Sequence, residues 1–168
     1  MKYIIFCNLT EKSIKELKYC EGLNLKSFKS LKQLHNFCIP LVSFNIESYS
    51  KIKMQISKKL SKLQTFRINI DSVKKDTNKH LYLLIEQKGF LNTIKRTFEE
   101  ELCKIENTNF EILTKYDSFY IDFMFSNSNN TNINKLLYPK FLKVHSIEIM
   151  KLSYKKHNLI DLVNLKSI

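Results

Sequence analysis

Two stretches of this 168-residue sequence set polar groups in a row that could act on one substrate. In FYIDFMFS, residues 119–126, Phe119, Ile121, Phe123 and Phe125 share one face of a strand, which leaves Tyr120, Asp122 and Met124 on the other. A phenol and a carboxylate two residues apart on a strand can reach a common cleft. In CIPLVSFN, residues 38–45, Cys38 and Pro40 fall on one face and Ile39 and Leu41 on the opposite one. The competing reading of both stretches is a wet sheet face with no task. The histidines, His35, His80, His145 and His157, stand too far from one another and from carboxylates for metal-ligand spacing, so no metal is expected. His35 and Cys38, three apart, would point to opposite faces of a strand, against a nucleophile–base pair. Cys7, Cys20, Cys38 and Cys103 match neither a disulfide framework nor a CxxC zinc site and read as reduced thiols. Gly22 and Gly89 are the only glycines, and neither opens a phosphate-binding loop, so no nucleotide cofactor is expected.

The elements that must hold these residues follow from periodicity. Tyr3–Cys7 is a short apolar run suited to a central strand, followed by a helix that Thr10 or Ser13 can cap and Gly22 can end. Residues 23–34 read as an irregular connection. A strand over Ile39–Phe44 contains Pro40, which cannot donate to a ladder, so it should lie at an edge or begin near that residue. Ser50 is the expected cap of an amphipathic helix with Ile52, Ile56, Leu60 and Leu63 on one face and Lys51, Lys53, Lys58, Lys59 and Lys62 around the rest. FRINIDSV, 66–73, alternates as a half-wet strand, 74–79 is a polar turn, and HLYLLIE, 80–86, opens the second half. Phe90, Ile94, Phe98, Leu102 and Ile105 mark a helix after Gly89. Strands are expected over 110–116 and 119–126, a polar loop over 126–135, a short helix before Pro139, a strand over 144–152, and a further strand or helical turn in the tail.

Composition sets the class. An apolar content of 43% with 12% aromatics is too core-rich for a disordered chain, and no apolar run is long enough for a membrane helix or a signal peptide. An intracellular, cytoplasmic protein is expected. The net charge of +12 suggests an anionic partner. However, the chain has no Ala and 26 Lys against 2 Arg. Ala, Gly, Pro and Trp share G/C-rich codons and Lys, Asn and Ile A/T-rich ones, so codon bias supplies a second source for that charge. Scarce Arg speaks against bidentate base readout and for point-charge phosphate contacts.

The order of elements, closing with VHSIEIMKLSY, resembles the two-histidine phosphoesterases, the RNA ligase-like cyclic phosphodiesterases, over essentially the full length. The resemblance implies an α+β class: a duplicated two-lobe sheet-and-helix fold with a central cleft, phosphoesterase-like, in one domain whose similar lobes span about 1–75 and 76–168. In that family each half carries a His-x-Thr strand; the histidines act as general base and acid on a phosphodiester, and the threonines hold the phosphate. Carried over, the first motif falls on Cys38, Ile39 and Pro40, the second on Tyr120, Ile121 and Asp122. Both motifs are lost, and Asp122 would set a carboxylate where a phosphate-binding hydroxyl belongs.

The expected function is therefore a non-catalytic RNA-binding protein, a pseudoenzyme on a degenerate phosphoesterase-like scaffold, associated with the ribosome or another ribonucleoprotein. Candidate phosphate contacts are Lys51, Lys53, Lys58, Lys59, Lys62, Lys74, Lys75 and Lys79, with Tyr82 or Tyr120 stacking on a splayed base. No cofactor and no membrane are expected. One alternative is an active 2',3'-cyclic phosphodiesterase, which needs a base such as His35 and an acid such as Tyr120 or His145. Another is a scaffold subunit bound to a protein partner.

Overall fold

The structure is a computed structural model and describes residues 1–18, 37–77, 80–123, 137–153 and 156–167. Among the described residues the order is β1 (Lys2–Leu9), α1 (Glu11–Lys18), β2 (Cys38–Asn45), α2 (Ser50–Leu60), β3 (Phe66–Lys75), β4 (Leu81–Ile85), α3 (Phe90–Leu102), β5 (Asn109–Ile112), β6 (Phe119–Phe123), β7 (Phe141–Ser153) and β8 (Lys156–Asn164). The strands form one antiparallel sheet ordered β5-β2-β1-β7-β3-β4-β6, with β8 also on β7. The long strand β7 is the spine. Along one edge it pairs with β1 from Val144 to Leu152. Along the other it pairs with β3 over Phe141–Val144 and with β8 over Ser146–Ser153.

Apolar alternation explains the layers. Tyr3, Ile5, Cys7 and Leu9 of β1, Ile147 and Ile149 of β7, and Leu81, Leu83 and Ile85 of β4 turn to one buried face, which meets Ile52, Ile56 and Leu60 of α2 and Leu91, Ile94, Phe98 and Leu102 of α3. Phe44 sits at the centre, its ring stacked on Tyr3 at 5.4 Å and near Phe98 at 6.4 Å. Thr10 caps α1: its hydroxyl accepts from the Ser13 N–H at 3.3 Å, while the Ser13 hydroxyl accepts instead from the Lys143 N–H at 2.8 Å.

Pro40 is accommodated rather than placed on an outer strand. Ile5 pairs with Val42 and Phe6 with Pro40, so Leu41 is the extra residue of a bulge, and β5 pairs β2 only from Val42 onward. At Pro40 the strand is therefore locally unpaired on its β5 side, which tolerates the missing donor. The bulge also shifts the alternation, so that Ile39, Leu41, Val42 and Phe44 are all buried.

Several sequence expectations change. Tyr49, not Ser50, occupies the cap position of α2, with helical dihedrals and no side-chain cap bond; Ser50 is the first helical residue and its hydroxyl meets that of Ser48 at 2.8 Å. That helix stops at Leu60, since the Leu63 carbonyl and the Thr65 N–H both bond to the Lys166 backbone, drawing the chain into an extended path. The strand expected over 110–116 ends at Ile112; Lys115 bridges Ser118 across Tyr116 and Asp117, whose positive φ values of 51° and 59° suit a two-residue hairpin turn. The tail is a strand, β8. The Gly22 helix end, the 23–34 connection, the loop over 126–135 and most of the segment before Pro139 lie outside the described residues, as do His35 and Lys79. The turn at Asp76 joins β3 to β4, which pair, while β5 lies beside β2 and β7 between β1 and β3, so strands from before and after Asp76 are interleaved in one sheet.

Candidate functional site

The sheet curls until its far strand β6 lies against β2 without hydrogen-bonding to it. The two stretches singled out in the sequence thus lie side by side, and the faces of β2 and β6 that carry Cys38 and Tyr120 are the two walls of the candidate cleft. On one wall, Cys38 lies opposite Asn8, Pro40 opposite Phe6, and Phe6 opposite Glu148 on the next strand. On the other wall, Tyr82 of β4 pairs with Asp122 of β6, and Leu84 with Tyr120. Over residues 119–122 the expected alternation holds: Phe119 and Ile121 are buried, Tyr120 is half-buried and Asp122 exposed.

Three tyrosines and a histidine form the body of the second wall. The Tyr82 ring meets the Tyr120 ring edge-on at 5.5 Å and 88°, the Tyr116 ring at 6.4 Å, and lies nearly parallel to the His80 imidazole at 6.2 Å and 13°. Lys115 Nζ stands 5.5 Å from the centre of the same ring. His80 Nδ1 is 3.2 Å from Asp122 Oδ1. Asp76 fixes the lower end: one carboxylate oxygen accepts from the His80 backbone N–H at 2.8 Å, and the other from the Tyr82 hydroxyl at 3.3 Å. His80 is a site residue that periodicity did not indicate, because it stands one residue before β4 and meets Asp122 only across the β4–β6 register.

The electrostatics of the cleft come from burial and carboxylates. Burial first, and then the Glu148 charge, pushes the Cys38 thiol up to about 12. Burial, followed by Asp122, Cys38 and Glu111, raises the Tyr120 phenol, so Cys38 and Tyr120 lie within electrostatic reach of each other. Burial, followed by Asp122 and Asp76, lifts Tyr82 to about 12. At neutral pH all three hold their protons and none is poised to accept one. Among the described residues, an anion entering here meets the carboxylates of Asp122, Glu111 and Glu148 and the Lys115 ammonium, an unfavourable balance of charge.

The lysines divide in the same plain way. Lys51 pairs with Glu47, Lys53 reaches Asp161 at 3.3 Å, and Lys59 bridges Glu100 at 3.0 Å and Glu101 at 2.9 Å. Lys58, Lys62, Lys74 and Lys75 make no ion pair among the described residues. Tyr82, expected to stack on a base, is 5% exposed and enclosed by its aromatic neighbours, so its ring offers no free face; Tyr120 is half-buried against it. His145 is the bulged residue of β7, exposed, with Nε2 3.4 Å from Ser146 Oγ and outside the tyrosine cluster.

This arrangement, an antiparallel sheet folded about a cleft with helices on its outer side, has solved counterparts. The chain superposes on E. coli LigT complexed with phosphate at a TM-score of 0.57 with 10% identity, covering 98% of this chain and 97% of that one. The fold is that of the LigT phosphoesterases. LigT complexed with 3'-AMP gives a TM-score of 0.58 at 9% identity over 98% and 97% of the two chains, and a second phosphoesterase gives 0.53 at 9% over 98% of each. No family model matches the sequence and no curated protein matches it. Among the described residues no helix is long and apolar enough to cross a membrane.

Proposed function

We propose that this chain is a non-catalytic RNA-binding protein on a LigT-like scaffold, working in the cytoplasm within a ribonucleoprotein such as the ribosome. The observation that carries the reading is the state of the two facing positions, Cys38 and Tyr120. On the family pattern they stand where histidines would exchange protons, and here burial and neighbouring carboxylates keep both protonated. General acid–base catalysis needs groups whose proton affinity lies near the working pH. The phosphodiester is instead held outside the cleft, on lysines that make no ion pair among the described residues: Lys58 of α2, Lys62 just beyond its end, and Lys74 and Lys75 at the end of β3. Lys51, Lys53 and Lys59 join them only if their carboxylate partners are exchanged for phosphate.

Binding of a structured RNA across a salt series tests this. Affinity should fall steeply with salt, and replacing Lys58, Lys62, Lys74 and Lys75 by Ala should lower the slope by roughly one for each phosphate no longer neutralised. Absence of affinity at low salt would refute RNA binding. Turnover of a 2',3'-cyclic phosphate that disappears in His80→Ala would refute the non-catalytic reading, since the His80–Asp122 pair is the imidazole–carboxylate pair among the described cleft residues. Co-purification of a protein that survives nuclease treatment would favour a scaffold role.

A further inference from the structure

Beside the cleft, where β1, β7 and β8 run under the first turn of α1, the structure has a cavity of about 280 Å³. Its walls are unlike the lysine faces. Ile14 and Leu162 supply apolar surface, Glu11 and Glu148 supply carboxylates, and Asn8 and Asn164 supply amides. The floor is Ser146, 1% exposed, whose hydroxyl accepts from the Asn8 amide at 3.2 Å. Glu148 belongs to both places: it lines this cavity and its charge acts on Cys38. Glu148 thus links the cavity to the Cys38 side of the cleft.

We propose that this cavity takes a single guanine base from an RNA strand, a reading that rests on the RNA-binding function above. Size comes first. Ligand pockets run from about 300 to 1,000 Å³, so a cavity at the bottom of that range suits one planar ring and not a dinucleotide. Edge chemistry selects the ring. Guanine offers two adjacent N–H donors, N1 and N2, which a carboxylate accepts side by side, and an O6 acceptor that an amide N–H can meet. Adenine and uracil each offer one donor group flanked by acceptors, and a carboxylate repels those acceptors. Ile14 and Leu162 give the ring faces apolar cover, which a polyamine would not use. This also gives the carboxylates a task in a chain of net charge +12: phosphates go to lysines, and the base edge goes to Glu148.

The test measures binding of the RNA pentamers UUGUU, UUAUU and UUUUU, which carry the same phosphates, to the full chain by fluorescence anisotropy. The wild type should prefer UUGUU by about tenfold, the discrimination of one good bidentate contact. Glu148→Gln should bring the three within roughly twofold while UUUUU still binds. Asn164→Ala, at an exposed position, is the second variant and should erode the same preference if Glu148→Gln disturbs folding. Equal binding of all three by the wild type overturns the guanine site and leaves RNA binding standing. No binding of any of them at low salt overturns RNA binding itself, and the guanine site with it. Spermidine binding that Glu148→Gln abolishes, without a guanine preference in the wild type, overturns the proposal in favour of an amine site.

Discussion

Asp76 closes the β3–β4 hairpin and orients the tyrosine wall, so its removal should be felt in both stability and titration. Asp76→Ala deletes the acceptor of the His80 backbone N–H at 2.8 Å and of the Tyr82 hydroxyl at 3.3 Å. A hydrogen bond to a charged acceptor contributes about 1.5–3 kcal/mol when one partner is partly buried, and the longer hydroxyl bond about 1 kcal/mol. The sum is about 3 kcal/mol, a large fraction of the ~5–15 kcal/mol that holds a domain together. For a chain of this length that corresponds to a fall of roughly 6–12 °C in Tm. With no Trp in the sequence, urea unfolding is best followed by far-UV circular dichroism. Tyr82→Phe alone should cost about 1 kcal/mol, and the double variant little more than Asp76→Ala, because the two changes remove the same bond. Absorbance titration adds a second readout: without the Asp76 carboxylate the Tyr82 phenol should ionise below its value of about 12, though still above an ordinary tyrosine because burial is its main cause. A loss under ~0.5 kcal/mol, or strict additivity of the two variants, would refute the assignment of Asp76 as the anchor of this wall.

Three further outcomes follow from the packing and charges. Phe44→Ala empties a site 1% exposed between Tyr3 and Phe98 and should destabilise by about 3–5 kcal/mol in the same urea assay. The Glu101 carboxylate, bonded first by Lys104 and then by Lys59, is held below the ordinary carboxylate range. Its stabilisation is thus full above that range and lost as pH falls through the folded value, so Glu101→Gln should flatten the acid limb of a stability–pH profile and leave the limb above neutrality unchanged. In a Cys20→Ser background at pH 8, a thiol-reactive disulfide should label exposed Cys103 quickly and reach Cys38 and Cys7 only on unfolding, because burial holds both thiols protonated; rapid labelling of Cys38 in the folded chain would contradict its environment.

Which faces are apolar was legible in the sequence; which strands meet was not. The alternation of Phe119 to Asp122 and the spacing of Phe90, Ile94, Phe98 and Leu102 follow directly from strand and helix periods, and both elements formed where those periods lie. Periodicity carries no information on partners, so nothing in β5 announces that it will pair with β2, or in β3 that β7 will lie beside it. The same limit applied to the site. Cys38 and Tyr120 could be placed on cleft-facing sides, but Glu148 and Glu111 enter the cleft through registers set by long-range pairing. Tyr82 shows the opposite error: it is a base-stacking candidate in the sequence, while its ring is buried as the hub of the aromatic wall. Leu41 shows how one bulge changes a face pattern that strict alternation cannot express.

The spine β7 also sets the order of assembly. As the chain is synthesised, β1 emerges first, yet the partner along one of its edges is 13 residues beginning only at Phe141. Until then the apolar stretch from Tyr3 to Leu9 presents an open ladder edge, and β3 waits on the same late strand. Contacts of such sequence separation close slowly, and unpaired apolar edges are where nascent chains associate wrongly. The interval between residues 9 and 141 is thus the period in which this chain most needs a chaperone, and a translational pause before Phe141 should lower its soluble yield more than one placed after Ser153.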